Sequence, residues 1–168
     1  MTPSQKIAEA ALRYATGGLA IYDEEPGNCL KAVRELIQQA LGIPYGEFYR
    51  RYRTEAVDGR PLSEPGQPDF QPWARDVQRS LRSSPYAEQV PWEERGPGML
   101  VFAHDLAEQG HVAVIVARER DVTQVIENSK SKRGRPLSGF NRQSQLELWP
   151  TKKYEVFRLI EPNQGEEA

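Results

Sequence analysis

The chain has one cysteine and two histidines in 168 residues. A single thiol excludes an intrachain disulfide and any zinc site built from several cysteines, and two histidines leave little stock of other metal ligands. A basic excess is also missing: 22 Lys and Arg face 24 Asp and Glu, for a formal net charge of -2. That balance argues against a general nucleic-acid binder, which needs a positive surface for phosphates. No run approaches the roughly 18 apolar residues needed to cross a bilayer. No apolar core of a signal peptide follows Met1-Thr2-Pro3-Ser4-Gln5-Lys6. The expectation is a chain that is soluble in the cytoplasm as made, and that needs another delivery route to work outside the cell. Its length suits one domain over residues 1–168, with a core over about 4–160 and no internal repeat.

The lone cysteine stands at an informative place, in Gly27-Asn28-Cys29-Leu30. Asn28 is a good N-cap for the apolar-patterned run that ends at Leu41. Cys29 then lies on the first turn of a helix, where unsatisfied N–H groups and the positive end of the dipole favour an anion. A thiolate forms more easily there than in water, and it is the thiolate that attacks. The competing reading is a small buried hydrophobe.

Taken in order, Pro3 to Thr16 has helical spacing of Ile7, Ala8, Ala11, Leu12 and Ala15, closed by Gly17-Gly18. The second helix buries Leu30, Val33, Ile37 and Leu41; Gly42 stops it and Pro44 prevents its resumption. Phe48, Tyr49 and Tyr52 suggest a short third helix, and Leu62 to Pro72 a proline-rich surface loop. Trp73 to Arg82 reads as a fourth helix. From Gly96 the pattern turns to strands: Met99–Phe102, the β-branched run His111–Val116 as a central strand, Thr123–Asn128, Leu146–Trp149 and Tyr154–Ile160. Ser129 to Gln143 reads as a basic loop carrying Lys130, Lys132, Arg133 and Arg135. The fold class is α+β, with N-terminal helices packed on a C-terminal antiparallel meander.

A cysteine nucleophile needs a base within hydrogen-bond reach and a third group to hold the base's tautomer. His111 opens the central strand beside Gly110. Glu127 and Asn128 lie on the next strand, where an antiparallel partner of His111 belongs, and either can accept the other imidazole N–H. Neighbours on a strand point to opposite faces, so only one of them orients the ring directly. The alternation leaves the choice open, because Val125 and Ile126 are both apolar. His104, beside Asp105 in a hairpin connection, is expected to be exposed.

These residues carry a family resemblance. The chain from Ser4 to Ile160 is similar to the NlpC/P60 superfamily of papain-like cysteine hydrolases, including its CHAP amidase branch. Asn28-Cys29 falls where that family has Asp-Cys-Ser-Gly, and Gly42-Ile43-Pro44 resembles the segment after its nucleophile helix. Pro97 to Phe102 resembles its Pro-Gly-Asp-Leu-Val-Phe strand. Gly110-His111-Val112-Ala113 matches its Gly-His-Val-Ala strand, and Ile126-Glu127-Asn128-Ser129 resembles the strand with the third polar residue. The resemblance implies a papain-like NlpC/P60 fold, Cys29 as nucleophile and His111 as base. It implies Asn128 or Glu127 as the orienting group and Tyr22 as a lining residue. It calls for no metal or organic cofactor. Leu30-Lys31 in place of Ser-Gly, Met99 in place of aspartate and an enlarged Tyr45–Trp92 stretch are departures that bear on substrate.

The function so implied is hydrolysis of an amide in bacterial cell-wall peptidoglycan by a monomer that uses neither nucleic acid nor membrane. A phage-type lysin or secreted effector fits the lack of an export signal. Two other classes stay open: a thiol acyltransferase or deamidase on the same fold, and an inactive interaction module.

Overall fold

The computed structural model describes residues 1–15, 29–52, 73–106, 110–128 and 142–162. Four helices lie among them: α1 (Pro3–Ala15), α2 (Cys29–Leu41), α3 (Tyr45–Tyr52) and α4 (Ala74–Leu81). Thr2 and Gln5 cap α1 reciprocally, each side chain accepting the other's backbone N–H at 3.2 and 2.7 Å. Its buried face is Ile7, Ala10, Ala11 and Tyr14, while Leu12 is exposed. The stripe is thus rotated from the expected one, because the aromatic Tyr14 goes inward and Leu12 goes to solvent. α2 buries Cys29, Leu30, Val33, Leu36 and Ile37. Gly42, at φ 67°, ends it in the left-handed region, and Gly42 and Ile43 both donate to the Gln38 carbonyl at 2.9 and 3.2 Å. Among the described residues no helix is long and apolar enough to cross a membrane.

Six strands follow: β1 (Ala87–Val90), β2 (Leu100–Phe102), β3 (Val112–Glu119), β4 (Val122–Glu127), β5 (Arg142–Gln145) and β6 (Glu155–Leu159). Every pairing is antiparallel and the order is β1-β6-β2-β3-β4-β5. The α+β class is therefore correct, and His111 does lie at the head of an inner strand. The simple meander is not correct. β2 to β5 form one, but β6 returns to insert between β1 and β2. β1 carries no strand signal of its own, because Ala87-Glu88-Gln89-Val90 is short, polar in the middle and flanked by Pro85 and Pro91; its pairing with β6 makes it a strand. Leu146–Trp149 is not a strand. Leu146–Leu148 form a 3₁₀ turn, while the polar Arg142–Gln145 just before it pairs with β4 as an edge. Arg142 and Gln143 thus belong to the sheet, not to the basic loop.

The sheet has two cores. On one face Leu100, Phe102, Val112, Val114, Ile126 and Phe157 pack against the helices. On the other face Val101, Ala113, Ile115, Val125 and Val156 pack with Leu146 and Trp149. Burial on both faces explains why these strands read as unbroken apolar runs. Gly98, at φ 82°, lets the chain entering β2 pass under α1: a Cβ there would lie 2.0 Å from the Ser4 carbonyl oxygen.

Candidate active site

Cys29 is a free thiol at the first residue of α2, 7% exposed. Packing of Leu30, Val33 and Ile37 on the sheet brings that end of the helix to the head of β3. His111 precedes β3 by one residue. Its carbonyl accepts from Ala103 N–H at 2.9 Å, which extends the β2–β3 ladder and sets His111 opposite Ala103, a member of the second core. Gly110 makes the approach possible. It has φ 78°, and a Cβ there would lie 2.5 Å from Arg75 Cγ on α4.

His111 Nε2 is 2.8 Å from Glu127 Oε1. Of the two polar residues considered on the following strand, the one on the ring nitrogen is Glu127. Strand alternation gives the reason. Val125 belongs to the second core and Ile126 to the helix-side core, so Glu127 shares the face of Val125 and of His111. Asn128 follows the end of β4 and is buried, 1% exposed. With Nε2 engaged by Glu127, Nδ1 is the ring atom left for the Cys29 sulfur, the other group that acts on His111.

Burial, at 8% exposure, disfavours the imidazolium. The hydrogen bonds with Cys29 and Glu127, and the negative charge on both partners, outweigh that penalty and raise the pKa of His111 from 6.5 to about 10. The proton on this ring is therefore held at neutral pH.

Two residues that the sequence did not single out complete the surroundings. Ser144 Oγ donates to Glu127 Oε2. Trp149 Nε1 donates to Ser144 Oγ at 3.1 Å, and its ring lies 5.3 Å from the His111 ring at 55°. Only the register of β5 against β4, Ser144 opposite Val125, puts the serine on the face of Glu127. No local motif announces that register. His104 is exposed, as expected. Tyr22, the Asn28 cap, the Leu62–Pro72 loop and the basic residues Lys130, Lys132, Arg133 and Arg135 lie outside the described residues. Among the described residues no group of three or more His, Cys, Asp or Glu is placed to hold a metal ion.

No family model matches the chain, and neither a curated protein nor a solved structure matches it in comparison.

Proposed function

We propose that the chain is a thiol hydrolase in which Cys29 is the nucleophile, His111 the acid and base, and Glu127 the orienting group. Its substrate in this reading is an amide bond in the peptides of bacterial peptidoglycan. The single observation that carries the chemistry is the position of His111, bonded to Glu127 at 2.8 Å through one ring nitrogen and near enough to Cys29 for the sulfur to act on the imidazole. The substrate class rests on the resemblance to NlpC/P60 enzymes, and so does the finer reading of the fold as papain-like. A helix that carries Cys29, packed on a sheet whose inner strand brings His111, is consistent with the papain-like reading of the fold and is silent on the substrate.

The steps follow from the groups present. The Cys29 thiolate attacks the amide carbonyl, and the carbonyl pair moves to oxygen. The first-turn N–H groups of α2 are the donors that stabilise the resulting oxyanion. The C–N bond breaks as imidazolium gives its proton to the leaving amine, leaving a thioester on Cys29. Water then attacks the thioester while His111 takes its proton, and the carboxylic acid leaves as the thiolate is restored. No step requires a metal or an organic cofactor.

Two measurements test this reading. Iodoacetamide alkylates Cys29 rapidly near neutral pH, and His111→Ala slows that by about a hundredfold, the scale of a lost acid–base partner. Slow labelling that ignores His111→Ala sinks the enzyme reading and leaves an interaction module. Mass spectrometry of digested peptidoglycan then shows new amino and carboxyl ends at one amide. A reactive Cys29 beside unchanged muropeptides from several wall types moves the assignment to a thiol acyltransferase or deamidase.

A further inference from the structure

Ser144 and Trp149 lie outside the Cys29–His111–Glu127 trio, yet they dictate its polarity. Indole N–H can only donate, so the bond from Trp149 Nε1 occupies an acceptor site of Ser144 Oγ at 3.1 Å. The one proton of the serine hydroxyl then points at Glu127 Oε2. The carboxylate accepts at both oxygens, from Ser144 on Oε2 and from His111 on Oε1. Donors at both oxygens favour the ionised carboxylate over the acid, so the proton stays on His111 Nε2. When His111 is neutral, Nδ1 is then its acceptor, the form a base facing Cys29 requires.

The same segment shields the ring. Trp149 is 6% exposed and lies against His111, so water is kept from one side of the His111–Glu127 bond. Beyond Trp149, Thr151 Oγ1 donates to Asp105 carboxylate oxygens at 2.7 and 2.9 Å. Asp105 lies in the connection that leads to His111. Residues 144–151 thus bond both to the partner of the histidine and to Asp105.

We propose that Ser144 and Trp149 are positioning residues that hold Glu127 as an acceptor-only carboxylate and thereby set the tautomer and orientation of His111 toward Cys29. This inference rests on the reading of Cys29 and His111 as nucleophile and base, and it is independent of the substrate. Among the described residues, Cys29 from α2 and Glu127 from β4 are the titratable groups that act on His111.

The test uses the full chain with two readouts that need no substrate: the pH profile of Cys29 alkylation, and the titration of His111 followed by nitrogen-15 NMR of its ring. Ser144→Ala lowers the alkylation rate at neutral pH by about tenfold, the weight of one hydrogen bond to a charged group. It also moves the His111 midpoint down. Ser144→Thr, which keeps the hydroxyl, restores both. Trp149→Phe keeps a ring against His111 but removes the donor, and it shifts the midpoint in the same direction as Ser144→Ala. A fast thiol whose profile and His111 midpoint are unmoved by Ser144→Ala and Trp149→Phe overturns this proposal alone. A slow thiol in the unaltered chain, indifferent to His111→Ala, overturns both this proposal and the hydrolase reading. If Ser144→Ala fails to fold, Trp149→Phe decides by the same two readouts.

Discussion

His111 Nε2 stands 2.8 Å from Glu127 Oε1, and Glu127 is only 3% exposed. A carboxylate so buried is stable as an anion only with partners that meet its charge. Glu127→Gln keeps the shape and removes the charge. The expected outcome is a His111 midpoint well below about 10 and a slower Cys29 alkylation at neutral pH. The slowing is about tenfold or more, since each pKa unit lost is a factor of ten in the imidazolium equilibrium. The same two measurements, ring NMR and alkylation, check it.

The His111 shift is also a statement about stability. The folded-state pKa is raised, so the folded protein binds this proton more tightly than the unfolded chain does. The contribution of His111 is fully present below about 6.5 and is lost as pH rises through about 10. Denaturant unfolding at a series of pH values across that window is expected to show stability falling with pH. His111→Gln flattens that part of the profile. A His111→Gln profile identical to the native one contradicts the linkage.

Gly110 carries the turn into His111 at φ 78°, with no room for a Cβ beside Arg75. Gly110→Ala combines a left-handed backbone with an overpacked contact against α4. The expected loss is about 2–3 kcal/mol of stability. The folded fraction should also alkylate more slowly, because relief of the clash moves His111. Thermal unfolding and alkylation per folded molecule measure the two effects separately.

Arg95 tests the opposite case, an ion pair of a buried guanidinium and a half-buried carboxylate outside the Cys29–His111–Glu127 trio. Its guanidinium is bonded to Glu147 at 3.0 Å and to Thr123 at 2.9 Å, and it lies over the Trp92 ring at 4.0 Å. Burial raises the pKa of Glu147, but its bonds with Thr123 and Arg95 more than compensate and leave it below the usual carboxylate range. Arg95→Ala removes one partner of that half-buried carboxylate, which keeps its bonds from Thr123, and the expected cost is about 1–2 kcal/mol. Cys29 alkylation in the folded protein stays close to native. A large loss of alkylation without loss of stability contradicts this separation.

Much of the helical half was legible because its signals are local. Apolar periodicity marked the body of α2, and Gly42 with Pro44 marked its end within a residue. The β-branched run Val112–Val116 announced an inner strand, and Gly110-His111 its head. Cys29 and His111 were visible as candidates because residue type and position in an element suffice to nominate a nucleophile and a base.

The choice between Glu127 and Asn128 was not legible. Alternation informs only when one face of a strand is wet, and here Val125 and Ile126 are both fully buried in different cores. The insertion of β6 between β1 and β2, and the arrival of Ser144 and Trp149 beside Glu127, also left no local mark. The amino-acid order by itself determined where helices and the inner strand begin, and which side chains have the chemistry. Tertiary structure decided which side chains meet. Capping and periodicity act within a few residues, whereas strand register is set by packing between segments far apart in the chain.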